Sequence, residues 1–526
     1  MNDKKLLRGD RLPKVFAAAA ILTALGLILP FLAAQSGART AAVAPQTVAI
    51  VGATLIDGNG GPAVPDSVVV VTGNKITAIG PRASVKIPSG ARVVDAKGKF
   101  VTPGFIDTNV HLSLYGAGET FVRYEQQNAD LVLEAAQLSL KYGITTVRDS
   151  YGSLLPLVQV RDEINRGEKV GTRILAAGNI VGWGGPYSIT FAQTPDTNLT
   201  LFQEQINDFI TQGAGQELFD MSPEELRVAI NRYLDKGPDF IKYGGTAHFE
   251  YPTLIAFSPD QQKVLVEEAH KRGKMAETHA TSSESLWISV RAGLDLIQHP
   301  EVLSDPYPDD LVQTIRDKKI ICSILANSIT GKPWQRHLKD KEEREKKKDE
   351  SKAETSGQAA KAQRAKTSAE LRKEKRDQGV GIETRRANAQ KLIQAGCVVT
   401  PSTDNYLGAA PEFRREPKPD WGEAGTGSIA AIEGLVELGM TPAQAIVAAT
   451  KNGAIACRGL EKYGTLEAGK LADLLVFDAD PLADITNIRK LSIVMRDGQI
   501  VDRAKLPENP VWYGRPDGVP PIKGKS

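Results

Sequence analysis

The sequence predicts an α/β protein, a (β/α)8 barrel of the TIM type with a small β-rich domain built from both chain ends. Three observations carry that reading. The 526 residues are too many for one ordinary core and suit a large barrel with an accessory domain. Eight short apolar runs alternate with helical stretches through the middle of the chain. Both ends carry alternating β-type runs broken by tight-turn pairs instead.

In chain order, residues 1–40 come first. Lys4, Lys5, Arg8 and Arg11 precede an almost purely apolar run from Val15 to Ala34, which reads as an export signal or, left uncleaved, as a membrane anchor. Either way the bulk is expected to be exported, to the periplasm or the extracellular side, with the basic flank left in the cytoplasm. Residues 46–102 and 464–505 form the predicted end domain, small antiparallel strands punctuated by Asp57-Gly58, Gly73-Asn74 and Asp497-Gly498. Residues 103–463 form the predicted barrel. Its strands are expected at Gly104–His111, Ile144–Asp149, Arg173–Ala177, Phe240–Tyr243, Lys274–His279, Leu294–His299, Ile320–Leu325 and Cys397–Thr403. Near-continuous apolar strands are what a parallel sheet covered on both faces requires. A six-stranded open sheet is the competing arrangement, but no glycine-rich phosphate turn follows the first strand.

Two stretches interrupt the rhythm. Ile180–Phe191, rich in glycine and aromatics, falls where a barrel forms its mouth and is expected to act as a substrate lid. Residues 338–378 hold 24 charged side chains among 41, 14 basic and 10 acidic, which marks a solvated insertion rather than core. Its near charge balance and lack of aromatics argue against nucleic-acid binding, as does the whole chain's formal charge of +2. Cys322, Cys397 and Cys457 have no short pair spacing, so neither a disulfide framework nor a cysteine-based zinc site is expected. Both a monomer and a homo-oligomer remain compatible with the composition.

In a barrel, polar residues at the carboxyl ends of strands are the catalytic candidates. That rule selects Asn109, His111, Lys242, His279, His299 and Asp404. Asn109 and His111 are two apart and project to one face of a strand. Taken singly, each histidine reads equally as a hydrogen-bonded structural residue and Lys242 as half of a buried ion pair. Together they make a nitrogen and oxygen site suited to zinc or a similar divalent ion. Tyr243, His248 and Tyr187 are the candidate substrate contacts. No Gly-x-Ser-x-Gly elbow is present for a serine hydrolase.

Several segments resemble the metal-dependent amidohydrolase superfamily, in its imidazolonepropionase-like and prolidase-like branch, and the resemblance implies that the two strand-rich ends pair into a small β-sandwich domain beside the barrel. The segments are Val101–His111, Gly143–Asp149, Phe240–Gly245, His279, Ile297–Pro300, Ser402–Asp404 and, most specifically, Gly464–Asp478. The resemblance implies one or two divalent cations, with His111 on the more buried one and His279 and His299 on the second. It implies Lys242 as a carbamate, formed with CO2, bridging both, and Asp404 as both a metal ligand and the proton shuttle. Asn109 departs from the family's His-x-His pattern, since an amide oxygen is a weaker ligand than imidazole. The activity implied is attack of metal-activated water on a carbon–nitrogen bond of a small amide or dipeptide-like substrate. The alternatives are a catalytically impaired binding protein of the cell envelope, or a cyclic deaminase or lactonase of the same superfamily.

Overall fold

The computed structural model describes residues 46–115, 118–191, 198–248, 253–355 and 381–518. The predicted export segment lies outside the described residues, as does the insertion from 356 to 378. Among the described residues, no helix is long and apolar enough to cross a membrane. The described part of the insertion continues the helix Gly331–Thr355, whose side chains up to 347 are largely exposed.

All eight expected barrel strands are present: Phe105–His111, Ile144–Asp149, Arg173–Ala176, Ile241–Gly244, Ala276–His279, Leu296–Gln298, Ile321–Ile324 and Val398–Pro401. Neighbours pair in parallel, in one arc of the first three strands and a second arc of the last five. The third strand joins the arcs on one side, because its continuation Ile180–Val181 pairs with the fourth. On the other side the Asn109 carbonyl accepts from the backbone N–H groups of Thr403 and Asp404, at 3.2 and 2.9 Å, tying the eighth strand's end to the first. The sheet therefore closes.

Every residue of the first two strands is buried, because helices cover the outer face and inward side chains fill the interior. Val147, Ile241, Ile297 and Val399 face helix residues such as Ile230, Leu286, Ile315 and Leu392 in the principal core. The helices start on local signals. Ser222 and Ser258 close capping boxes with Glu225 and Gln261, each followed by a proline in the first turn. Inside the barrel lies a polar layer, where Arg148 donates to Glu277 and Gln298 donates 2.8 Å to Glu277, with both members of the ion pair essentially unexposed. Glu277 sits two residues before His279 and so one layer deeper along the same inward face.

The two chain ends do combine, but as one hydrogen-bonded sheet of eight strands rather than two separate ones. Thr47–Leu55 is its hinge. Val48–Val51 run parallel to Arg92–Asp95, and Thr54–Leu55 to Phe100–Val101. The partner changes at Gly52, where φ is +86° and a Cβ would sit 3.2 Å from Lys97 Cα. Phe100–Pro103 then pairs with Leu474–Phe477, so the strand that leads into the barrel is clamped by the returning chain. Ile50, Val71, Val101, Leu474 and Met495 form this domain's own core.

Candidate active site

A cavity of about 500 Å3 opens at the carboxyl end of the strands, with His111, Lys242, His279, His299 and Asp404 in its lining. Five residues separated by nearly 300 positions meet there because each ends a barrel strand and points inward. Two are held in left-handed backbone that non-glycine residues rarely adopt, His299 at φ 36° and Asp404 at φ 55°. Such conformations cost on the order of 1–3 kcal/mol and persist only where surrounding structure imposes them. For Asp404 the backbone N–H bond to the Asn109 carbonyl does so; at His299 the carbonyl is pinned by Val302, whose N–H lies 3.0 Å away.

His279 Nδ1 and His299 Nε2 face each other at 3.2 Å. The outer nitrogens, His279 Nε2 and His299 Nδ1, are buried without a hydrogen-bond partner among the described residues. Burial, with neighbouring His299 and Lys242, pushes His279 well below its ordinary range, and burial and Lys242 push His299 down to about 3. Both imidazoles are therefore neutral, with lone pairs available. Two nitrogens on one tetrahedral zinc at about 2.05 Å stand about 3.3 Å apart, which matches the observed separation. Lys242 is 1% exposed, and burial lowers its amine against the opposing pull of Asp404, Glu277 and Asp149. Among the described residues, no three His, Cys, Asp or Glu side chains form a preassembled metal cage.

Asp404 accepts from His111 Nε2 at 2.8 Å and from Asn109 Nδ2 at 2.9 Å, both on Oδ1. Burial alone would raise its carboxyl. His111, by charge and hydrogen bond, and then His299 and Lys242 outweigh that and hold it well below the usual carboxylate range. Ser150 Oγ donates to the Asn109 oxygen. An ionised Asp404 fixes this orientation, since the flipped amide would set oxygen against oxygen. Asn109 thus spends its amide N–H on the Asp404 carboxylate and its only ligand atom on Ser150. It is not in the cavity lining, unlike the other five.

Of the candidate substrate contacts, Tyr187 and His248 line the cavity and Tyr243 does not. Tyr243 follows Lys242 on a strand, so an inward lysine sends the tyrosine outward, where it is fully buried in the helix-facing core. His248 stacks on Phe191 at 4.5 Å between ring centres, and its Nδ1 lies 3.3 Å from the Phe191 carbonyl. The predicted lid stretch supplies Trp183, Pro186, Tyr187 and Phe191 to the wall. Trp183 stands edge-on to His279 at 4.9 Å and donates from Nε1 to the Thr246 carbonyl at 3.0 Å. Gly244 makes room for it, because a Cβ there would come 2.4 Å from Trp183 Nε1.

Sequence reasoning missed several polar lining residues, Tyr151 and Arg385 foremost. Tyr151, 2% exposed, keeps an unpartnered buried hydroxyl that burial holds protonated. Its position directly after the second strand was a usable signal. Arg385 enters from the first turn of the helix Ile382–Gln394, behind the charged insertion, where nothing in the local pattern marks it.

Comparison with known proteins bears on the family and the fold. Residues 100–501 match the amidohydrolase family. The structure of a phenylurea hydrolase B superposes with a TM-score of 0.75 at 30% identity, covering 90% of this chain and all of that one. A molinate hydrolase gives 0.74 at 29% identity, covering 90% and 98%. A Xaa-Pro dipeptidase, 22% identical with a TM-score of 0.66 over 87% of this chain and 100% of that one, shares the fold. The imidazolonepropionase of Geobacillus sp. (strain WCH70) is 33% identical over 125 residues; the match spans 23% of this chain and only about a quarter, 26%, of that enzyme's length.

Proposed function

The chain belongs to the amidohydrolase family, and from that premise we propose that it is a hydrolase of carbon–nitrogen bonds that holds one divalent cation through His279, His299 and Lys242. The observation that carries the reading is the pair of neutral ring nitrogens facing each other at 3.2 Å in the cavity that Lys242 and Asp404 also line. A protonated lysine is no ligand. Burial favours the neutral amine, which can take up CO2 and become an anionic carbamate with two oxygens. Zinc suits the donor set of imidazoles and oxygen. A second cation would find little there: Ser150 takes the Asn109 oxygen and Asp404 engages His111 Nε2, which leaves the buried, unpartnered His111 Nδ1 as the ligand atom still open on these two residues.

A cation bound there would lower the pKa of water and polarise the substrate carbonyl. The remaining work falls to side chains. Asp404, kept ionised, takes the proton of the attacking water and returns it to the leaving nitrogen. Asn109 and His111 aim that carboxylate, and the Tyr151 hydroxyl is a donor available to the substrate oxygen. The aromatic wall excludes water from the reacting bond. The substrate is a small amide, dipeptide-like molecule or urea; the names of the phenylurea and molinate hydrolases support a range wider than peptides.

The test loads chelated protein with zinc or manganese and assays a panel of N-acyl amino acids, anilides and ureas, with lactones and cyclic amidines as controls for the rival chemistries. About one equivalent of metal per chain and metal-dependent amide or urea cleavage are expected. Less than about 0.2 equivalents after loading, with no turnover, would leave a binding protein as the reading. Asn109→His should raise the stoichiometry towards about two, by restoring the missing imidazole.

A further inference from the structure

Arg385 lines the same cavity as the catalytic cluster, on the side formed after the sixth, seventh and eighth strands together with Val302, Leu325 and Tyr406. Its side chain is 20% exposed, and its guanidinium is held from behind. Nη2 donates 2.8 Å to Ser328 Oγ and 3.3 Å to Glu301 Oε1. Glu301 is wholly buried and also accepts from the Leu325 N–H at 3.2 Å, which fixes the anchor. Two parts of the fork remain uncommitted among the described residues: Nη1 makes no hydrogen bond, and Nε is buried without a partner.

A partly exposed guanidinium with open N–H groups, one of them buried, is an acceptor-seeking group in a binding cavity, and a planar fork suits a carboxylate. Among the described residues, Asp404, which the reaction itself uses, is the only carboxylate in the lining. The opposite wall, with Trp183, Phe191 and Tyr151, is aromatic. We infer that Arg385 is a substrate-recognition residue that binds a carboxylate on the portion of the substrate lying toward the sixth to eighth strands, while an aromatic or apolar group packs on the opposite wall. This rests on the hydrolase reading and narrows it to N-acyl amino acids and related amides bearing a free acid.

The experiment compares matched pairs, an N-aroyl amino acid and its primary amide, by turnover on the metal-loaded enzyme and by equilibrium binding, which needs no turnover. Wild type should favour the acid by about 10- to 100-fold in kcat/KM and in affinity, the range of a charge-assisted hydrogen bond to a carboxylate. Arg385→Met should collapse that ratio to within about threefold, through KM rather than kcat, and Arg385→Lys should restore part of it. Since Arg385→Met strands Glu301 without its cation, the double change Arg385→Met with Glu301→Gln is made alongside it. A folded variant that keeps the acid-over-amide preference overturns the inference, as does wild type showing none. Metal-dependent cleavage without that preference sinks the recognition role and leaves the hydrolase reading standing. Acid-selective, Arg385-dependent binding with no cleavage of any pair does the reverse.

Discussion

The two walls of the barrel mouth differ in kind. Loops after the first four strands supply rings, with Tyr151, Trp183, Tyr187, Phe191 and His248 crowded edge-on or stacked within 6.0 Å of a neighbour where they touch. The ends of the later strands supply His279, His299 and Asp404, the last two in strained backbone, and the helix Ile382–Gln394 adds Arg385. Apolar rings can be moved a little at modest cost, whereas a proton shuttle and a pair of ligands must be held within fractions of an ångström. The strain sits where position matters most. The difference sets up a division of labour to be tested, with His279, His299 and Asp404 expected to govern the rate, and the rings, together with Arg385, the affinity.

Four measurements can break or sharpen that division. Asp404→Asn should lower kcat by about 10^3-fold or more while metal content and thermal midpoint stay near wild type, since it removes the base but keeps the shape. A change confined to KM would break the comparison at its strongest point. His299→Asn tolerates the left-handed backbone better than most replacements. It should weaken metal binding by about 10^2-fold or more, read by competition with a chelator, and lower kcat with it.

Phe191→Ala removes a stacked ring from the other wall and should raise KM by about 3- to 10-fold, with kcat held within about threefold. An equal fall in kcat would mean that the rings position the reacting bond as well. Tyr187→Phe deletes one half-buried hydroxyl and should alter kcat/KM by less than about threefold. A larger loss would identify a hydrogen bond to the substrate.

How much of this was legible beforehand can be argued residue by residue. The eight strands were readable because burial on both faces forces continuous apolar runs, and all eight lie within a few residues of their expected bounds. His111, Lys242, His279, His299 and Asp404 were readable because each is polar at the end of such a run. Tyr243 was misjudged by proximity. Strand parity, which the sequence does contain, sends it to the opposite face from Lys242. Arg385 was not readable at all, because a basic residue on a polar helix beside a charged insertion looks like any solvated side chain, and its anchor Glu301 is 84 residues away.

The sequence by itself determined the periodicities, and through them the barrel, the pairing of both chain ends and the inventory of groups able to hold a cation or move a proton. Local chemistry and strand alternation suffice for that, since they depend on neighbours along the chain. Only the tertiary structure decided what Asn109 does. Where one residue type is lost, the chain shows a missing imidazole; the fold shows an amide whose oxygen is taken by Ser150 and whose N–H groups face Asp404. It also decided that Arg385, one of 65 basic residues, faces the cavity. Those roles follow from contacts across hundreds of residues, and a one-dimensional pattern carries no information about which distant groups the closed barrel brings within hydrogen-bonding distance.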